Sequence, residues 1–491
     1  MAQREPRHPG GRAYAGPGAR SHWLATLLVL VLVGSAVAAY RLDWGSRYLG
    51  WGADPDTDPA AVAPPAGLTL PALPVAEPVA VPAGPGAVDV AEVDAAIRGG
   101  LGDKDLGRHV VATVGGLSND RAVVSLGTGP VVPASITKLL TATAALSVLG
   151  PEATFATRVV AGQRPRDVVL VGGGDPFLAS EPATGSTYPG RADVVTLAEQ
   201  VAGRLTTRKV RLAYDASLFT GPADNPAWEP DYVPDGVVSP ITSLWVDEGR
   251  SPTGYGRVAD PALTAARVFA DALAAEGVRV VGTPRPGAAA DGASELGSVR
   301  SAPLAEIVQR VLDVSDNEAA EVLAHHVGLA VSGVGSFQAG AAGVLRALSD
   351  LGIDVSGDRV LDGSGLSRRN RVTASTVRRV LQVASSPGHP DLRPVVEGLP
   401  VAGFTGSLTY RFDRGAPEGR GRVRAKTGTL TGVHSLAGLV TDLDGNVMSF
   451  VVAADRVRPA KALAARAALD EVAAALAACH CSPGPPVGAT G

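Results

Sequence analysis

The chain is 491 residues long, 45% hydrophobic and 19% charged, with a formal net charge of -4. That is enough apolar material for a sizeable core, and the lack of any basic tract or aromatic-basic array excludes a nucleic-acid-binding protein. The two cysteines, Cys479 and Cys481, flank His480. They are too few for a disulfide framework and make a poor metal site, so neither metal nor cofactor is expected.

In chain order, residues 1–22 form a basic segment, with Arg4, Arg7, Arg12 and Arg20 against Glu5. Trp23 to Tyr40 is an uncharged apolar run, at about 18 residues just long enough to cross a bilayer. Positive charge ahead of it predicts a cytoplasmic N-terminus and an exported remainder. Ala36-Val37-Ala38 also suits a signal-peptidase site, so 23–40 reads as a transmembrane signal anchor, the preferred reading, or as a signal peptide. Residues 41–87 are Pro/Ala-rich and predict an extended, semi-rigid linker.

The globular body starts near Val88. Val90 to Leu101 reads as a helix, and His109 to Gly116 and Ala122 to Leu126 as strands joined at Asn119-Asp120. A helix starting at Ser135 ends near Gly150-Pro151. The middle of the chain holds a strand at Val168 to Val171, a tight turn at Gly172 to Pro176, helices at 192–204 and 261–276, and loop-like packing from Gly221 to Pro252. It reads as an inserted accessory domain, 161–299. The catalytic domain is then discontinuous, 88–160 and 300–478. Its second part has helices at Leu304 to Val314 and Glu318 to Val331, and a turn-rich segment at Asp362 to Ser367. Strands follow at Arg422 to Leu430, His434 to Asp442 and Asn446 to Ala454, the last two joined at Asp444-Gly445. A final helix, Pro459 to Ala478, has Leu463, Leu469, Val472 and Leu476 as its apolar stripe. A flexible tail, 479–491, closes the chain.

Three short motifs carry the chemistry. Ser135 and Lys138 are three residues apart on a helix, so both side chains share a face. A desolvated lysine amine there can accept the serine proton. Ser315-Asp316-Asn317 precedes a helix, and Lys426-Thr427-Gly428-Thr429 lies on a strand. Singly, they read as a capping serine with a surface lysine, a helix cap at Asn317 and an ordinary strand end. In this order they form the set used by penicillin-binding proteins and some β-lactamases. Acyl transfer needs a nucleophile (Ser135), a base (Lys138) and a proton relay (Ser315). It also needs a substrate anchor, here Asn317, the fixed positive charge of Lys426, the hydroxyls of Thr427 and Thr429, and Gly428, which lets the substrate backbone lie close. The backbone N–H groups of Ser135 and Thr429 are the oxyanion donors. No Gly-x-Ser-x-Gly elbow supports a rival Ser-His-Asp triad. His434 reads as structural or as part of the rim, and the Trp228 to Trp245 region as a cleft wall.

With these motifs and their flanks, Pro133 to Leu140, Val171 to Pro176, Asp362 to Arg368 and Arg424 to Gly432, the sequence resembles the D-alanyl-D-alanine carboxypeptidase/endopeptidase group of low-molecular-mass penicillin-binding proteins, the peptidase S13 type. The resemblance covers roughly 90–478. It implies an α/β (α+β) serine transpeptidase-like domain, an antiparallel sheet flanked by helices, with an insert between the first two motifs. It implies cleavage of the terminal D-Ala from peptidoglycan stem peptides, opening of cross-links as a second activity, and acylation by β-lactams. The alternatives are a β-lactamase, for which no Glu-x-x-Leu-Asn base is found between Ser315 and Lys426, and a catalytically silent scaffolding protein, against which the intact motifs argue. Stem peptides, β-lactams and, through the N-terminal segment, the membrane are the expected partners.

Overall fold

The computed structural model describes residues 88–117, 122–413 and 415–482. The apolar run at 23–40, the linker to residue 87, the turn at Asn119-Asp120 and residues 483–491 lie outside them. Among the described residues no helix is long and apolar enough to cross a membrane.

The chain enters through α1 (Val90–Leu101), whose start is fixed by the Asp89 carboxylate accepting from Ala91 and Glu92 N–H. Strands β1 (Val110–Gly116) and β2 (Val124–Leu126) follow, then a single 3₁₀ turn at Ala134–Ile136 running into α2 (Thr137–Leu149). Next come β3 (Ala156–Ala161), β4 (Asp167–Val171), α3 (Val194–Arg204), β5 (Lys209–Asp215), α4 (Pro261–Ala275), the two-residue strands β6 (Arg279–Val280) and β7 (Arg285–Pro286), and β8 (Glu295–Arg300). The chain then runs through α5 (Leu304–Val314), α6 (Asn317–Ser332), α7 (Phe337–Asp350), α8 (Ala374–Ala384) and the short α9 (Arg393–Glu397). It ends with β9 (Val423–Leu430), β10 (Val433–Thr441), β11 (Val447–Ala454) and α10 (Ala462–Ala477).

Two sheets result. One is five-stranded and antiparallel, ordered β2-β1-β11-β10-β9. Its strands alternate between two cores, as a period of two requires. On β11, Met448, Phe450 and Val452 join α1 and α10, while Val451 and Ala453 face α2, α5, α6, α7 and α8. The sheet is thus covered on both faces, and β9 is left as an edge. On α10, Leu469, Val472 and Leu476 are buried, but Leu463 is 78% exposed and does not belong to the stripe the sequence predicts. Regular helix begins only at Ala462, after a 3₁₀ turn at Pro459–Lys461, so Leu463 sits in the first turn and clear of the sheet.

The second sheet, ordered β6-β5-β4-β3-β8 with β7 also pairing β5, is mixed: β4, β6 and β7 run parallel to β5. Val159, Val168, Leu170, Val210, Leu212 and Tyr214 pack on α3 and α4 in a core of their own. The segment between β5 and α4 has little regular structure, yet it is packed: Trp228, Val238, Ile241 and Trp245 form a small core with Val322, Phe337 and Leu366. Cys479 and Cys481 are bridged to each other. Beside them Leu443 N–H donates to Cys479 O and Asp89 N–H to Cys481 O, 2.8 Å.

Candidate active site

Ser135 is set by a strained corner. Ala134 stands at φ +49°, left-handed backbone that costs an L-residue about 1 kcal/mol or more. It is held there because Thr137 Oγ1 donates to its carbonyl (2.8 Å) and Gly365 presses against it. A Cβ on Gly365 would lie 1.9 Å from Ala134 O. Ser135 is therefore presented from the 3₁₀ turn rather than from the α-helix, and is half-buried.

Lys138, one turn on, is completely buried. Its Nζ donates to Ser135 Oγ at 3.1 Å, to Asn317 Oδ1 at 2.8 Å and to Ser364 O at 2.8 Å. Burial brings its pKa down to about 8, against the opposing pull of Glu321, Asp316, Asp362 and Glu318. Ser364 belongs to the Asp362 to Ser367 loop, to which the sequence reading gave no role. Two acids fix that loop. Asp362 accepts from Gly365 N, Ser367 N, Asn370 Nδ2 and Trp228 Nε1. Glu321, on α6, accepts from Gly363 N at 2.9 Å and Ser364 N at 2.8 Å. Glu321 is fully buried, and burial, then Asp362, pushes its pKa up to about 8.

The second motif joins α5 to α6. Ser315 closes α5 in left-handed conformation, φ +63°. The helix cap is Asp316, which accepts from Ala319 N at 3.0 Å, not Asn317. Asn317, relieved of capping, accepts from Lys138 and donates through Nδ2 to Val237 O, 3.3 Å. Ser315 Oγ makes no hydrogen bond among the described residues, so Lys138 meets Ser135 and Asn317 but not Ser315. The next residue, Glu318, is buried and receives Arg257 Nε (3.0 Å), Arg257 through its other nitrogen (2.7 Å), and Ser239 N (3.2 Å). The segment 237–257 thus stands beside Asn317, while Trp228 and Trp245 are buried supports, 8% and 1% exposed.

The third motif is on the edge strand. Ala425 N donates to Pro400 O and Ala402 N to Val423 O, so odd-numbered residues of β9 turn their backbone groups outward. Thr427 and Thr429 follow the same parity, which leaves the Thr429 N–H facing the cleft side of the edge. Gly428 serves the chain itself: a Cβ there would meet Ser435 Oγ at 2.1 Å and Pro133 O at 2.6 Å. Its bareness lets the strand lie against the turn that carries Ser135. Thr427 Oγ1 donates to Ser407 Oγ, 3.1 Å. Lys426 is fully buried, and its pKa is pulled well below the ordinary value by burial and then by Lys138, against Asp313. His434 is 2% exposed and away from the rim, and neither ring nitrogen has a partner among the described residues.

A family model described as the D-Ala-D-Ala carboxypeptidase 3 (S13) family matches residues 93–255 and 251–476. The chain is 37% identical over 418 residues to carboxypeptidase Rv3627c of Mycobacterium tuberculosis, covering 84% of this chain and 87% of that protein. It is 39% identical over 360 residues to carboxypeptidase DacB of Mycolicibacterium smegmatis, covering 72% and 76%. In fold it is similar to the crystal structure of penicillin-binding protein 4 from Haemophilus influenzae, with TM-score 0.64 and 19% identity over 78% of this chain and 98% of that one.

Proposed function

The chain belongs to the D-Ala-D-Ala carboxypeptidase 3 (S13) family, and on that premise we propose how its residues divide the reaction. The protein is a serine-type carboxypeptidase, a hydrolase acting on peptidoglycan stem peptides. Ser135 Oγ attacks the carbonyl of the penultimate D-Ala while the neutral amine of Lys138 takes the hydroxyl proton. The N–H groups of Ser135 and Thr429 hold the developing oxyanion. The C–N bond breaks, the proton passes to the departing D-Ala amine with the Ser315 hydroxyl as relay, and water then hydrolyses the acyl-enzyme. The observation that carries this reading is Lys138: an ammonium with no exposure, 3.1 Å from the serine oxygen, whose other two contacts are uncharged acceptors.

The lowered pKa of Lys426 fits the same scheme. An incoming substrate carboxylate at Lys426, Thr427 and Thr429 favours the ammonium form of Lys426. That charge in turn disfavours a second one on Lys138. Binding of substrate thereby helps make Lys138 a base. β-Lactams follow the same attack, with the ring opening instead of a leaving group departing. Action outside the cytoplasm follows from the substrate. We add that the run at 23–40 anchors the protein there, supported by the arginines before it and the Pro-rich spacer after it, and that cross-links are a second substrate.

The test is intact-mass analysis after incubation with benzylpenicillin, beside Ser135→Ala, followed by D-Ala release from a stem pentapeptide and cleavage of a cross-linked dimer. A single adduct absent from Ser135→Ala is expected. Drug consumed without an adduct would instead establish a β-lactamase, and intact drug with no adduct a silent binding protein.

A further inference from the structure

Among the described residues, α3 and α4 pack on one face of the second sheet. Its other face is read from the pleat. Lys209 and Arg211 alternate with buried Val210 and Leu212, so both point away from the helices. In-register neighbours share a face. Arg279 stands beside Lys209, Arg285 beside Ala213, and Asp167 beside Arg211. A groove of about 520 Å³ runs over this face, with Val169 and Ala213 in its floor and Arg164, Arg211 and Arg285 in its walls. Arg164, Lys209, Arg211, Arg279 and Arg285 are all exposed. The groove lining holds one acid, Asp167, and that is engaged with Arg211 Nε at 2.6 Å. Among the described residues, the side chains of Arg164, Lys209, Arg279 and Arg285 form no ion pair or hydrogen bond.

Cations that merely keep a surface soluble are interspersed with acids. Here three line one groove with one acid among them, and Lys209 and Arg279 extend the same face along β5 and β6, in a chain of net charge -4. We propose that this face binds an extended polyanion carrying phosphate groups along its length. Guanidinium forks match phosphate oxygens in pairs, and a row of them separated by strand spacings suits a repeating charge better than a single small anion. A groove also suits a polymer strand better than a flat lipid surface does. This is independent of the carboxypeptidase chemistry, since no residue of the groove touches the serine site.

The experiment uses the full-length protein and linear polyphosphate as the probe, with inorganic phosphate and anionic phosphatidylglycerol vesicles as separate arms. Wild type is expected to bind polyphosphate with an affinity that falls steeply with salt. A Lys209→Gln/Arg279→Gln/Arg285→Gln variant is expected to bind at least tenfold more weakly while releasing D-Ala from a stem peptide at the wild-type rate. A control of equal charge change, Arg98→Gln/Arg108→Gln/Arg346→Gln, is expected to keep wild-type affinity. The proposal is overturned if both triple variants lose binding equally, if neither does, or if only the vesicles bind. Arg285→Gln alone, expected to weaken binding severalfold, keeps the test decisive should the triple variant fail to fold.

Discussion

At the scale of single residues, the proposed mechanism turns on two fully buried lysines, Lys138 and Lys426. In that mechanism Lys138 acts as a base only when neutral, and its pKa is about 8. The acylation rate is therefore expected to rise as pH rises through about 8, falling tenfold per unit well below it. Glu321 is the largest influence holding that pKa up. Glu321, itself raised to about 8, is ionised only in the upper part of the pH range, so Glu321→Gln is expected to move the acid limb modestly to lower pH, whereas a purely structural loss would scale the rate without moving the limb. Second-order acylation rates from pH 5.5 to 9.5 distinguish the two. Gly428→Ala forces a Cβ against Pro133 O and is expected to cut acylation at least hundredfold, read by the same assay. The sequence brings Ser135 and Lys138 to notice because their link is local, one helical turn. Ser364, Glu321 and Ser407 gave no such signal. Ser364 contributes a backbone carbonyl, which any residue has, and Glu321 acts through a loop 42 residues away.

At the scale of elements, the long periodic segments were legible and the short or tertiary-determined ones were not. Residues 304–314 carry an apolar stripe and fold as α5 over those residues. The two-residue strands β6 and β7 have no period to read; they exist because β5 offers an edge. The same limit explains why Asn317 looked like a cap. A Ser-Asp-Asn string holds three good caps, and only the need of Lys138 for an acceptor decides between them. Asp316→Ala is expected to lose about 1 kcal/mol, measured by denaturant unfolding. Arg257→Met leaves Glu318 buried without its partner and is expected to cost about 3 kcal/mol, with a raised KM as the segment 237–257 shifts beside Asn317.

At the scale of the whole molecule, α6 is the hub between the two sheets. His326 stacks on Phe155 at a centroid distance of 3.9 Å and bonds Gly174 O at 2.9 Å, while His325 bonds Glu321 O at 2.8 Å. Burial lowers both imidazoles to about 4. The folded pKa lies below the ordinary 6.5, so the unfolded chain takes up protons first. Their contribution is complete above about pH 6.5 and is lost as pH falls towards 4, on the order of 3 kcal/mol for each. Thermal melts between pH 7.5 and 4 are expected to show this loss, reduced in His326→Gln.

The bond from Asp89 N to Cys481 O has a consequence for chain topology. The described body begins and ends at one point, with α1 and α10 sharing a core. Covalent order is then nearly interchangeable around the fold. A chain in which residue 482 continues directly into residue 88 and is opened instead at the exposed Asp291-Gly292 turn would meet the same neighbours throughout. Such a circular permutant is expected to fold to the same body and to be acylated at Ser135 as the natural order is.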